Sequence, residues 1–135
     1  LARLAELARQ RVSFGYETTL ASRSFAPWLR ARIADGYTVR LVFLWLASPD
    51  LALARVAGRV ARGGHRVPDE VVRRRYAAGL RNFFGLYQPV ATSWWVYDAS
   101  GVGPPKLMAR GTDSGIRVLD AGVWPGIVRQ WSRDG

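Results

Sequence analysis

Arginine is the residue type in this chain whose spacing suggests chemistry. Arg55, Arg59, Arg62 and Arg66 recur at intervals of four, three and four, which keeps them on one helical face. Leu53, Val56, Ala57, Val60 and Ala61 form the apolar stripe opposite. Gly63-Gly64 then closes the helix, and Pro68, Asp69 and Glu70 suit the first turn of another. That second helix brings Arg73, Arg74 and Arg75 to a second basic surface. Guanidinium groups are planar forks that grip phosphate in two-point fashion and stabilise charge developing during phosphoryl transfer. Two arginine-bearing helices about a glycine hinge therefore predict a clamp over a polyanion; the plainer reading is a solvated helix face in an arginine-rich chain.

The elements that must position these residues follow from the apolar pattern. Leu1, Leu4, Ala5 and Ala8 share a face and predict a helix end. Val12–Tyr16 reads as a short strand leading into Glu17-Thr18-Thr19. Ser22 or Ser24 caps a helix over about 25–34, closed by Gly36. Thr38–Ala47 is almost continuously apolar, the pattern of a central parallel strand covered on both faces. Ser48-Pro49-Asp50 opens the arginine helix. A long helix over 68–87 follows, with Val72, Tyr76, Leu80, Phe83, Phe84 and Tyr87 as its core face. Residues 93–98 read as a strand, 106–111 as an antiparallel edge strand, and Trp124, Ile127, Val128 and Trp131 as a short closing helix. Strand, helix, strand, helix, helix, strand predicts an open α/β fold, in which ligands gather at the carboxyl ends of the strands. Glu17 and Ser48 both fall at such ends.

Composition narrows the function classes. At 135 residues, 49% of them hydrophobic, the chain can bury a core. It has no cysteine, which excludes disulfides and thiol chemistry and fits a cytoplasmic location. A single histidine, His65, offers no multi-histidine metal cluster. No apolar run approaches the ~20 residues of a membrane span. The net charge of +10 suits nucleotides, nucleic acid or an acidic partner. Lys106 is the only lysine among twenty basic residues, so part of that charge reflects a general arginine bias. The chain opens in mid-pattern without methionine, as a fragment of a longer protein would.

Several stretches taken together resemble the zeta-toxin-like P-loop kinases, in the branch also described as predicted ABC-type ATPases. They are Phe14–Leu20, Phe43–Pro49, Arg59–Pro68 and Arg74-Arg75-Tyr76, followed by Asn82-Phe83-Phe84 and Trp95–Asp98. The resemblance covers 1–111 and leaves 112–135 as a C-terminal tail with a docking helix. It implies a three-layer P-loop kinase-like fold with a mostly parallel sheet and an arginine-rich helical lid. It also implies ATP with Mg2+, phosphoryl transfer to a small acceptor such as a nucleotide sugar, and an antitoxin partner. By position, Glu17 and Arg59 take catalytic roles, Thr18 and Thr19 face the acceptor, and Arg66 and Arg74 bind phosphate; His65 belongs to the same region without an assigned role. The sequence contains no Gly-x-x-x-x-Gly-Lys-[Ser/Thr] phosphate loop. The expected function is therefore a kinase fragment that is inactive, and binds ATP weakly, without an upstream phosphate loop. The alternative is a basic module that binds protein or, less readily, nucleic acid without catalysis.

Overall fold

The computed structural model describes residues 2–134, the side chain of Asp134 excepted; the predicted role of Leu1 lies outside them. Five α-helices surround a four-stranded sheet: α1 (Ala2–Arg9), α2 (Phe25–Ala34), β1 (Arg40–Trp45), α3 (Pro49–Ala61), α4 (Asp69–Asn82), β2 (Ser93–Asp98), β3 (Lys106–Thr112), β4 (Gly115–Val118) and α5 (Trp124–Asp134). One π-helical turn, Phe83–Tyr87, prolongs α4.

Local chemistry sets most of the helix ends. Ser48 accepts a hydrogen bond from Leu51 N at 3.4 Å and caps α3, with Pro49 in its first turn. Gly63, at φ +92°, ends it: Gly63 N reaches Val60 O at 3.0 Å and Gly64 N reaches Arg59 O at 2.8 Å. These are the paired bonds of a Schellman cap. Gly36 closes α2 with the same pair, to Ile33 O and from Tyr37 N to Arg32 O.

The sheet overturns the predicted fold class. Its order is β1-β2-β3-β4; β1 and β2 are parallel, and β3 and β4 join as antiparallel strands. The molecule is α+β with a small mixed sheet, not a three-layer P-loop kinase-like fold with a mostly parallel sheet. Two misread strands explain the difference. Residues 12–19 enter no strand; Phe14 and Tyr16 are occupied with neighbouring rings, Phe14 edge-on to Trp28 and Tyr37 and Tyr16 against Phe25. The apolar run 38–47 yields an edge strand rather than a central one. Its odd residues Leu41, Phe43 and Trp45 face the core, whereas Arg40, Val42 and Leu44 are exposed. The expected edge strand, β3, lies inside the sheet because residues 115–118 return to cover it.

The core forms where the α4 extension and α5 meet the sheet. Phe83 stacks on Phe43 at 4.7 Å and meets Trp94 edge-on; Phe84 stacks on Trp131 at 5.7 Å, and Trp94 on Trp124 at 5.9 Å. Ile127 and Phe83 are wholly buried. The aromatic residues of the long helix are thus core, as their spacing predicts.

Two glycines separate helix propensity from close approach. A Cβ on Gly79 would stand 2.7 Å from Thr19 O, whereas one on Gly58 would meet only the mobile Arg62 guanidinium at 3.6 Å. Gly58→Ala should stabilise the fold by up to about 1 kcal/mol, the helix-propensity gain. Gly79→Ala should destabilise it by about 1–3 kcal/mol despite the same gain, because backbone must move. Urea unfolding of the two variants checks the contrast.

Candidate functional site

The carboxyl end of the β1/β2 pair is built from tied loops. Ala47 N donates to Ser100 Oγ at 2.9 Å, and Asp98 Oδ1 accepts from Ser100 N at 2.9 Å. Arg55 reaches across from α3 and donates to Ala99 O at 2.8 Å and Gly101 O at 3.3 Å. Arg73 of α4 pairs with Asp50 of α3 at 2.9 Å; both are exposed, so the pair contributes at most about 1 kcal/mol.

Between this end of β1 and the α3–α4 hairpin lies a cleft of about 520 Å³. Its floor is Phe43, Leu44, Trp45 and Leu46, and Val56, Val67, Val72 and Leu80 supply further apolar wall. Arg55, Arg59, Arg75 and His65 bring the polar groups, and Thr19 closes one side. Arg55, Arg59 and Arg75 are all exposed, and Arg55 is the one engaged on loop carbonyls. Among the described residues, no carboxylate lines it.

A half-buried hydrogen-bond chain sets the floor. Tyr76 OH donates to Leu46 O at 2.7 Å and accepts from Gln130 Nε2 at 2.9 Å. Gln130 Oε1 in turn accepts from Trp45 Nε1 at 3.0 Å. One side chain of α5 thus ties together β1 and α4, the two sides of the cleft.

The Thr19 side is held by the end of α4. Asn82, 2% exposed, donates through Nδ2 to Leu20 O at 2.7 Å and Ala21 O at 3.2 Å. Tyr87 OH donates to Ser22 O. Leu20 sits at φ +56°, a left-handed conformation costing about 1–2 kcal/mol for a residue with a Cβ. Thr18 Oγ1 also accepts from Leu20 N at 3.2 Å, so the conformation is held from both sides.

The residues singled out by sequence are distributed unevenly. Arg59 and Thr19 line the cleft. Glu17 and Thr18 line a neighbouring groove of about 630 Å³, which shares Thr19, Phe43 and Leu44 with the cleft. Arg66 and Arg74 are exposed and line neither cavity. Arg75, Gln130 and the roles of Tyr76 and Asn82 were not assigned from sequence. Asn82 carried a signal, a polar side chain inside an apolar helical stripe; Gln130 carried none, because its partners lie 54 and 85 residues away. In the groove, burial and then the neighbouring Tyr87 push the Tyr16 phenol up to about 12, so it is a neutral hydroxyl there.

A Haemophilus influenzae protein described only as uncharacterized is 29% identical to this chain over 68 residues. The match takes in 50% of this chain, and the chain spans about half (49%) of that relative's length. No family model matches the chain, and no solved structure matches it. Among the described residues, no helix is long and apolar enough to cross a membrane.

Gln130→Leu should leave the buried Trp45 N–H without an acceptor. Stability should fall by about 1–3 kcal/mol, and the tryptophan emission should change in the folded state. Unchanged stability and emission would show that the chain Trp45–Gln130–Tyr76 does not hold the cleft floor.

Proposed function

We propose that this chain binds a small phosphate-bearing molecule in the α3–α4 cleft, as the acceptor-handling part of a phosphotransferase of the zeta-toxin kind. The observation that supports it is the pairing of Arg59 and Arg75 with a largely apolar wall on which, among the described residues, no carboxylate stands. Guanidinium forks suit phosphate oxygens, and an apolar floor suits a base, ring or acyl portion attached to the phosphate. The cleft volume of about 520 Å³ falls among those of small-molecule sites. A concave, apolar-floored site also favours this reading over a nucleic-acid surface, which tracks a backbone with spread charge.

Within that reading Arg59 and Arg75 bind the phosphate and Thr19 offers a hydroxyl at the edge. Glu17 lies in the adjoining groove, not in the cleft, so its proposed catalytic part requires a substrate that extends past Thr19. The wall fits the phosphates of ATP. Magnesium takes oxygen ligands, and the wall supplies no carboxylate for it. Among the described residues no group of three or more His, Asp or Glu side chains is placed to share a metal ion.

Calorimetry with UDP-N-acetylglucosamine, against uridine and N-acetylglucosamine, tests the proposal at about 0.15 M salt, where remote charges are screened. The phosphorylated compound should bind and the other two should not. Arg59→Ala and Arg75→Ala should each weaken binding by about tenfold, the scale of one charged hydrogen bond. Arg66→Ala and Arg74→Ala, outside the cleft, should match the unmodified chain. Equal losses in all four variants would mean that bulk charge attracts the ligand and the cleft does not.

A further inference from the structure

We infer that the groove beside β1 is the seat of an added β-strand, supplied by a partner polypeptide with alternating apolar side chains and acidic ends. The evidence begins with backbone polarity. Val39 O accepts from Ser93 N, and Trp45 O accepts from Ala99 N. The odd residues of β1 thus turn their amides toward β2, and Arg40, Val42 and Leu44 turn theirs toward the open edge. No strand of the sheet pairs with that edge.

The opposite wall of the groove is the segment 14–20. Among the described residues, no backbone–backbone hydrogen bond involves residues 13–19. The outward peptide groups of β1 and a segment without backbone–backbone hydrogen bonds therefore border one groove, which runs along residues 38–44 for most of the ~20 Å that six strand residues span. An extended chain is the occupant that can present donors and acceptors to both borders; a small molecule or a nucleic acid lacks that repeat.

Edge strands are usually blunted by lysine, proline, a bulge or short length. β1 has none of the first two, its pairing with β2 is regular, and it leaves Val42 and Leu44 each 57% exposed. The sheet's other edge, β4, has four residues and borders neither cavity, so it offers no comparable seat. Arg40 lines the groove with the carboxylate of Glu17, Arg32 is already paired with Asp35 at 3.1 Å and lies over the Trp28 ring, and the chain as a whole carries +10. That charge favours an acidic strand and disfavours self-pairing of two copies. Because the groove shares Thr19, Phe43 and Leu44 with the cleft, the added strand would also close that side of the cleft and take the space a substrate would need to reach Glu17.

A fluorescein-labelled peptide, acetyl-Glu-Val-Thr-Val-Thr-Val-Glu-amide, is the probe, read by polarisation with the full chain. It should bind saturably, and N-methylation of alternate peptide nitrogens should weaken it by at least about tenfold. Val42→Lys should weaken it by a similar factor without lowering the unfolding midpoint, since the side chain is exposed. Arg40→Glu should turn the preference toward the same peptide with lysine ends. Equal binding of the N-methylated peptide, or none up to about 1 mM, would overturn the inference. So would concentration-dependent dimers in sedimentation that Val42→Lys abolishes, since a second copy would then be the occupant. The peptide result does not depend on whether the cleft binds phosphate.

Discussion

Two hydrogen bonds from one buried amide hold the two parts of this molecule in register. Asn82 Nδ2 grips Leu20 O and Ala21 O, and the adjacent turn of α4 presents Gly79 against Thr19 O. Without that grip the left-handed Leu20 would relax, and the segment bearing Glu17, Thr18 and Thr19 would lose its place beside β1. The same stretch of chain continues into the π-helical turn whose Phe83 and Phe84 anchor the core. A helix that both fills the core and reaches across to a loop has little freedom to shift. A lost partner for buried carbonyls costs about 1–3 kcal/mol, a large share of ordinary stability. The geometry of the cleft thus depends on packing in the next turn of the same helix.

How much of this was legible in the sequence follows from the range of each interaction. The caps at Ser48, Gly36 and Gly63 were readable because serine, proline and glycine act within four residues of themselves. The core face of the long helix was readable from its period. Strand pairing was not, because alternation at Phe14 and Tyr16 marks rings that need burial and does not say whether the backbone will find a ladder. β4 was missed since all four of its residues are exposed and carry no buried alternation. β1 and β2 are parallel as the intervening helices suggested, and 106–111 pairs antiparallel with β2 as its pattern suggested, whereas the β3–β4 hairpin carries no sequence signal of comparable strength.

The candidate site divides the same way. Arginine spacing put Arg55, Arg59, Arg62 and Arg66 on one helical face; Arg55 and Arg59 line the cleft, whereas α3 ends at Ala61, so Arg62 is its C-cap and Arg66 lies in the loop beyond. It gave no means to separate Arg75, in the wall, from Arg74, outside it, since adjacent helical residues differ by about 100° in direction. Nor did it distinguish an arginine facing open space from Arg55, whose guanidinium fastens the loop after β2. Charge drew attention to the right hairpin; hydrogen-bond geometry decided which charges remain for a ligand.

The most direct test of the cleft is to follow the arginine Nε–H resonances in a nitrogen–proton correlation spectrum during titration with inorganic pyrophosphate. If Arg59 and Arg75 hold the phosphate, their two signals should shift together with one saturation curve, along with the indole N–H of Trp45 in the floor. The Arg66 and Arg74 signals should move little at about 0.15 M salt. Shifts of similar size spread over all the exposed arginines, with the Trp45 signal unmoved, would contradict the account.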